Sequence, residues 1–80
     1  MYYAYVLRCR DGSFYTGIAK DIEKRLEAHR NGKGSKYVRS RLPFALARKE
    51  EFPTKESALR REIAIKAMSR REKAGLMDTV

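Results

Sequence analysis

The chain has 80 residues and a formal net charge of +9, from 19 Lys and Arg against 10 Asp and Glu. This length fits a single domain over residues 1–80 with a thin core, which disfavours enzymes that need a deep small-molecule cavity. No apolar run approaches the roughly 20 residues of a membrane-spanning helix, and no secretion signal is expected. The single cysteine, Cys9, excludes an internal disulfide and a cysteine-based zinc site, and it favours a reducing, cytoplasmic compartment.

The N-terminal segment predicts a β-hairpin. Residues 2–9 are rich in Tyr, Val and Leu, which suit a strand, and residues 14–18 indicate the returning strand. Between them, Asp11-Gly12 is a strong hairpin signal, because glycine accepts the positive φ of a tight turn. Cys9, near the end of the first strand, is interpreted as a small core residue.

A helix is predicted next, over residues 22–31. Asp21 is a suitable N-cap for it, and Gly32 stands where a left-handed glycine would end it. Residues 32–43 then form a predicted basic loop, inside a stretch (residues 30–49) that has seven basic residues and no acidic one. Such a run attracts polyanions, so nucleic acid is the favoured partner, ahead of a merely solvated surface and of an anionic membrane.

The remaining chain predicts one strand and two helices. Residues 44–52 indicate a third strand, and Thr54 is a candidate N-cap for the helix that follows. Ser69 and Glu72 have the spacing of a capping box, so a short final helix begins there. The order β-β-α-β-α-α predicts an α+β fold, with a three-stranded antiparallel sheet flanked by helices.

Several catalytic motifs are excluded by the residues present. The sequence has no glycine-rich nucleotide-binding motif, and its single histidine, His29, excludes a His–His metal pair. A triad of Ser13, His29 and Asp21 would lack a nucleophile elbow, and a thiol pair of Cys9 with His29 is less simple than a core role for the cysteine. Helix-turn-helix, zinc-finger and RNP patterns are also missing from the sequence.

A set of motif residues resembles the GIY-YIG nuclease family. The matching residues are Tyr3-Ala4-Tyr5, Tyr15-Thr16-Gly17, Arg25, His29 and Glu62, the last followed by Ile65-Lys66. Tyr15 comes ten residues after Tyr5, Arg25 ten residues after Tyr15, and His29 four residues later. Tyr3 replaces the first glycine of the family's motif and Thr16 its second isoleucine, both at structural positions. The resemblance extends over nearly the whole chain and is greatest with small stand-alone bacterial GIY-YIG proteins.

The resemblance implies an endonuclease that hydrolyses DNA phosphodiester bonds with one Mg²⁺ or Mn²⁺ ion. It assigns the general base to Tyr5, with Tyr15 nearby, and metal binding to Glu62. Mg²⁺ often uses only one or two carboxylates and keeps several waters, so the ion is expected to bind weakly without substrate. Gly17 is expected to let the chain turn tightly toward the first helix.

The chemistry of these residues is consistent with the implied roles. Tyrosine has a pKa of about 10, so Tyr5 can act as a base at neutral pH only where positive charge favours its phenolate. Arg25 and His29 are four residues apart and share one helix face. The Arg25 guanidinium matches two phosphate oxygens, and His29 can accept the Tyr5 proton or hold it by a hydrogen bond.

Phosphate contacts are expected in the basic loop. The candidate nucleic-acid-binding residues are Lys33, Lys36, Tyr37, Arg39 and Arg41. DNA is the predicted partner, with branched and single-stranded forms both open; no membrane and no small-molecule cofactor is expected, and a protein partner stays open. Since no dedicated base-reading element is present in the sequence, strong sequence specificity is not expected.

Each candidate residue also has an ordinary structural explanation. Tyr5 and Tyr15 can be strand aromatics that pack on the sheet. Arg25 can pair with a neighbouring acid, and Glu62 with Lys66 at i, i+4. The alternative functions are therefore a non-catalytic nucleic-acid-binding module and a nuclease subunit that cuts only with a partner protein.

Overall fold

The computed structural model describes residues 1–78 as a three-stranded antiparallel sheet with helices on both faces. The strands are β1 (Tyr2–Cys9), β2 (Phe14–Ala19) and β3 (Phe44–Phe52), and the helices are α1 (Ile22–Arg30), α2 (Lys36–Arg39), α3 (Lys55–Lys66) and α4 (Arg70–Asp78). The sheet order is β2-β1-β3, so the first strand is central and both later strands are edges. The predicted fold class is confirmed, and a one-turn helix, α2, lies inside the predicted basic loop.

Local signals account for where the elements begin and end. Gly12, in the hairpin turn, and Gly32, after α1, have φ values of +83° and +75°, which glycine adopts without steric cost. Side chains cap α1, α3 and α4 as predicted, at Asp21, Thr54 and Ser69. Compared with the sequence-based expectations, β2 ends one residue later and α1 one residue earlier.

The sheet separates two small cores. Successive side chains along β1 point to opposite faces, so Tyr5 packs with Leu26 of α1 and Val38 of α2, whereas Val6 packs with Ile65 of α3 and Met77 of α4. Helices α1 and α3 therefore lie on opposite faces, with the edge strand β2 between them. Within residues 1–78, no helix is long and apolar enough to cross a membrane.

Candidate active site

A cleft of about 340 Å³ opens along the outer edge of β2. Tyr15 and Gly17 of β2 form part of its wall, with Arg25 contributed by α1 and Glu62 by α3. Because the two helices lie on opposite faces of the sheet, the edge of β2 is where their side chains can meet. The cleft thus brings together four of the predicted site residues, from three separate elements of the chain.

Tyr5 lies behind the β2 wall, fully buried in the central strand. Its partner across the ladder is Gly17, and a Cβ atom placed on Gly17 would lie 2.7 Å from the Tyr5 hydroxyl oxygen. Only glycine leaves room for the phenol group at this point, next to the cleft. The expectation that Gly17 forms a tight turn is wrong: it lies within β2, and the close approach of Tyr5 is what requires glycine there.

His29 is buried beside Tyr5 and completes a pair. Its Nε2 atom lies 2.8 Å from the Tyr5 hydroxyl, and its ring meets those of Tyr5, Tyr15 and Phe44 edge-on, with centroids 5.9, 5.4 and 6.0 Å away. Its Nδ1 atom is buried without a hydrogen-bond partner in the described residues. Gly34 packs so closely there that a Cβ atom on it would overlap Nδ1. Gly34 was not predicted, because its spacing carries no signal of this contact.

Burial sets the protonation states of this pair. Desolvation, reinforced by the nearby Tyr15, raises the pKa of Tyr5 to about 12, although the positive charge of Arg25 acts in the opposite direction. Desolvation and the charge of Arg25 both lower the pKa of His29. At neutral pH Tyr5 therefore keeps its proton and His29 is uncharged. When the His29 proton is on Nδ1, the Tyr5 hydroxyl donates to Nε2; when it is on Nε2, that N–H donates to the Tyr5 oxygen. The phenolate is not favoured by Arg25 alone.

Glu62 provides a carboxylate at the cleft. Its side chain is only 15% exposed, and its Oε2 atom lies 3.3 Å from Lys66 Nζ, the i, i+4 pair foreseen as the structural alternative. Within the described residues, no group of three or more His, Cys, Asp or Glu side chains is placed to hold a metal ion. A single carboxylate beside an open cleft suits Mg²⁺ held mainly by water and substrate phosphate, whereas a cage made by the protein alone does not fit.

The five predicted nucleic-acid-binding residues lie outside the cleft lining. Three of them, Lys33, Lys36 and Arg39, are exposed on and before α2. Tyr37 lies next to Tyr15, with ring centroids 6.0 Å apart, and the Arg41 guanidinium lies 3.8 Å from the centroid of the Tyr37 ring. Arg41 also forms a 3.0 Å salt bridge with Asp11 of the hairpin turn. Tyr37 and Arg41 therefore extend the aromatic cluster of the site toward the surface.

Five cleft residues were not predicted as site residues. They are Tyr2, Ile18, Ala19, Lys20 and Lys55. Lys20 directly follows β2 and Lys55 begins α3, so each projects from a point where the chain leaves the sheet or enters a helix. Both lysines are exposed and add positive charge to the cleft. Their position depends on how α3 packs across the edge of β2, which no local motif encodes.

Comparisons with known proteins identify the family of this chain. A family model described as the GIY-YIG catalytic domain matches residues 1–74. A UPF0213 protein of Staphylococcus saprophyticus is 51% identical over 76 residues, which cover 95% of this chain and 93% of that protein. The solution NMR structure of a UPF0213 protein from Bacillus halodurans has a TM-score of 0.65 at 46% identity, covering 99% of this chain and 85% of that one. The solution NMR structure of a protein from E. faecalis has a TM-score of 0.66 at 39% identity, covering 98% of this chain and 83% of that one. The chain therefore belongs to the GIY-YIG family, whose catalytic domain is of the nuclease type.

Proposed function

We propose that this protein is an endonuclease that hydrolyses phosphodiester bonds in DNA, with Tyr5 as general base and one Mg²⁺ or Mn²⁺ ion at Glu62. The observation that carries the proposal is the buried Tyr5–His29 hydrogen bond directly behind a cleft that Arg25 and Glu62 line. Any buried tyrosine needs a partner for its hydroxyl; here that partner is an uncharged histidine, a side chain that can accept a proton. The free thiol of Cys9 supports the cytoplasm as the compartment.

The charges of the cleft suit a phosphodiester. Lys20, Arg25 and Lys55 are cationic cleft residues, against the carboxylate of Glu62, so the cleft attracts a phosphate group. The planar guanidinium of Arg25 can hold two phosphate oxygens at once and so fix the orientation of the scissile group. Glu62 would hold the metal ion, which would supply charge stabilisation at the phosphate and the leaving oxygen.

Tyr5 and His29 provide a path for the proton of the attacking water. The water donates its proton to the Tyr5 oxygen while the Tyr5 hydroxyl passes its own proton to His29 Nε2. Tyr5 thus remains protonated before and after the transfer, and no free phenolate is needed despite its pKa of about 12. The path needs uncharged His29 with its proton on Nδ1, because only then is Nε2 free to accept a proton. Burial keeps His29 uncharged.

A cleavage assay with a matched pair of tyrosine variants tests this function. Plasmid, single-stranded and branched DNA are incubated with the protein in Mg²⁺ and in EDTA. Tyr5→Phe keeps the ring and removes the hydroxyl, so we expect Mg²⁺-dependent cutting to fall about 100-fold or more. Tyr3→Phe is the control, because Tyr3 lies on the same strand and its hydroxyl donates to Glu51 at the surface; this variant keeps wild-type cutting.

Each other outcome contradicts a defined part of the proposal. Metal-dependent cutting that survives Tyr5→Phe removes the general-base role. Salt-sensitive DNA binding without metal-dependent cutting identifies a non-catalytic binding module. Cutting that begins only when cell extract is added identifies a nuclease subunit that needs a partner protein.

A further inference from the structure

A second groove, of about 200 Å³, lies on the same edge of the sheet as the cleft. We call it the hairpin groove. Its lining consists of Ser13, Phe14, Tyr37, Arg70 and Lys73. Like the cleft, it spans the two faces of the sheet, with α2 on one side and α4 on the other. It adjoins the start of β2, whereas the cleft adjoins residues up to the end of that strand. Phe14 in the hairpin groove and Ile18 in the cleft are four residues apart along β2, which is about 13 Å at about 3.3 Å per residue.

Tyr37 connects the two sites and is held firmly. Its ring contacts that of Tyr15, a cleft residue, at a centroid distance of 6.0 Å, and 36% of the residue remains exposed. Arg41 lies over the ring and is itself fixed by Asp11 and by the Tyr37 carbonyl oxygen. A preordered, partly exposed aromatic side chain is a surface against which an unpaired nucleobase packs, and little conformational freedom is lost on binding.

The other wall of the hairpin groove supplies positive charge. Arg70 and Lys73 are three residues apart on α4 and project from the same face of that helix. A Cβ atom on Gly12 would lie 3.4 Å from Arg70 Nη2, so this guanidinium lies beside the hairpin turn. Within residues 1–78, the salt bridges involve other cations, and the nearby Glu72 carboxylate accepts the backbone N–H of Ser69. Both cations are therefore available to a phosphate.

We propose that the hairpin groove is a second nucleic-acid subsite, which binds a nucleotide that flanks the scissile phosphate. Arg70 and Lys73 hold its phosphate, and its unpaired base packs against the exposed surface of Tyr37. This inference rests on the proposed function for the identity of the ligand and adds a substrate class: DNA that is single-stranded next to the cut. A base stacked inside a duplex has no face free for Tyr37.

The phosphate contact is tested by equilibrium binding to an oligothymidylate of about 15 nucleotides, measured in EDTA. This length is within the usual range of single-strand site sizes. The double variant Arg70→Gln/Lys73→Gln removes the two groove cations. The control Arg60→Gln/Arg71→Gln removes the same charge from exposed positions on α3 and α4 that line neither site. At about 50 mM salt we expect the groove variant to bind about tenfold more weakly, and its salt slope to fall by about 0.7, the value for one phosphate on a single strand. The control stays within about twofold; equal losses in the two variants overturn the subsite.

Tyr37→Leu tests the base contact. We expect it to bind oligothymidylate about fivefold more weakly and to leave the binding of a duplex of equal length unchanged. An equal loss of affinity for both DNA forms overturns the base contact. The groove double variant leaves Tyr37 unchanged, so it tests the subsite independently of how Tyr37 packs.

The binding measurements distinguish this inference from the nuclease proposal, because they contain no metal and no cleavage. Selective loss in the groove variant without any cutting by the wild type overturns the nuclease function alone. Wild-type cutting combined with equal binding by both double variants overturns the subsite alone.

Discussion

Glu50 of β3 and Glu62 of α3 have nearly the same burial, with side chains 17% and 15% exposed, but their surroundings differ. Glu50 uses both carboxylate oxygens to accept hydrogen bonds from Arg48 and Arg61. Glu62 has one ion pair among the described residues, with Lys66 on its own helix, and borders the cleft. Burial alone therefore does not distinguish a structural carboxylate from a candidate metal ligand. The distinction comes from how many hydrogen bonds and ion pairs the carboxylate oxygens already make within the protein.

The sharpest test of this difference is Glu62→Gln. We expect DNA cutting to fall by about 10³-fold, the scale of losing a directed electrostatic contact in a transition state. The free energy of unfolding should change by less than about 1 kcal/mol, because the lost ion pair is an i, i+4 contact whose lysine is 56% exposed. Single-turnover cleavage and urea denaturation measure the two quantities. A large loss of stability would place Glu62 in the structural class.

Glu50→Gln is the matched substitution at the other site. It leaves Arg48 and Arg61 without their shared counter-charge in a half-buried position, and we expect unfolding to become easier by about 2 kcal/mol. Cutting at a temperature well below the unfolding transition stays within about twofold of wild type, since Glu50 does not line the cleft. Urea denaturation measures the change in the free energy of unfolding. A loss of cutting without a loss of stability would contradict a purely structural role for Glu50.

The same pair predicts a difference in acid stability. Hydrogen bonds from Arg61 and then Arg48 hold the pKa of Glu50 below its usual value of 4.5. The native protein therefore keeps this carboxylate ionised to lower pH than the unfolded chain, and the stability it confers above pH 4.5 is lost as the pH falls through the native pKa. Below pH 4.5 the free energy of unfolding should decline less steeply in Glu50→Gln than in wild type. Parallel pH profiles of the two proteins would contradict the role of the ion pairs.

The smallest expected effect comes from removing the cation that competes for Glu62. Lys66→Gln should raise the affinity for Mg²⁺ about twofold, as the i, i+4 pair contributes only about 0.3–0.5 kcal/mol. Calorimetric titration with Mg²⁺ measures the change without DNA. Arg60→Gln removes an exposed cation from the same helix and serves as the control. If the Mg²⁺ affinity rises equally in both variants, the overall charge of α3 is responsible and the Lys66–Glu62 ion pair has no specific effect.

Most of the fold could be predicted because its signals are local. The Asp11-Gly12 turn and the caps Thr54 and Ser69 act on residues a few positions away, so the chain alone specifies them. The exception is α2. Its N-cap, Ser35, accepts hydrogen bonds from the backbone N–H groups of Tyr37 and Val38, but this serine stands among glycines and lysines that indicate a loop.

The sequence predicts which residues belong to the candidate site but not how they are arranged. Spacing and resemblance name Tyr5, His29 and Glu62, and the structure reports where each lies, while their chemical roles stay predictions. The reason for Gly17 could not be read from the sequence, because glycine satisfies a turn and a close side-chain approach equally well. The contact of Gly34 with the His29 ring and the raised pKa of Tyr5 both depend on long-range packing.

The central place of β1 has a consequence for protein synthesis. The ribosome makes β1 first, and the hairpin partner β2 follows within a few residues, but the other edge of β1 waits for β3, which begins at Phe44. At about 5–20 residues per second, this interval is about 2–7 s. During that time a nascent chain has an unpaired tyrosine-rich edge, the kind of surface on which neighbouring chains add strands, so translation speed and chaperone access bear on the yield of folded protein.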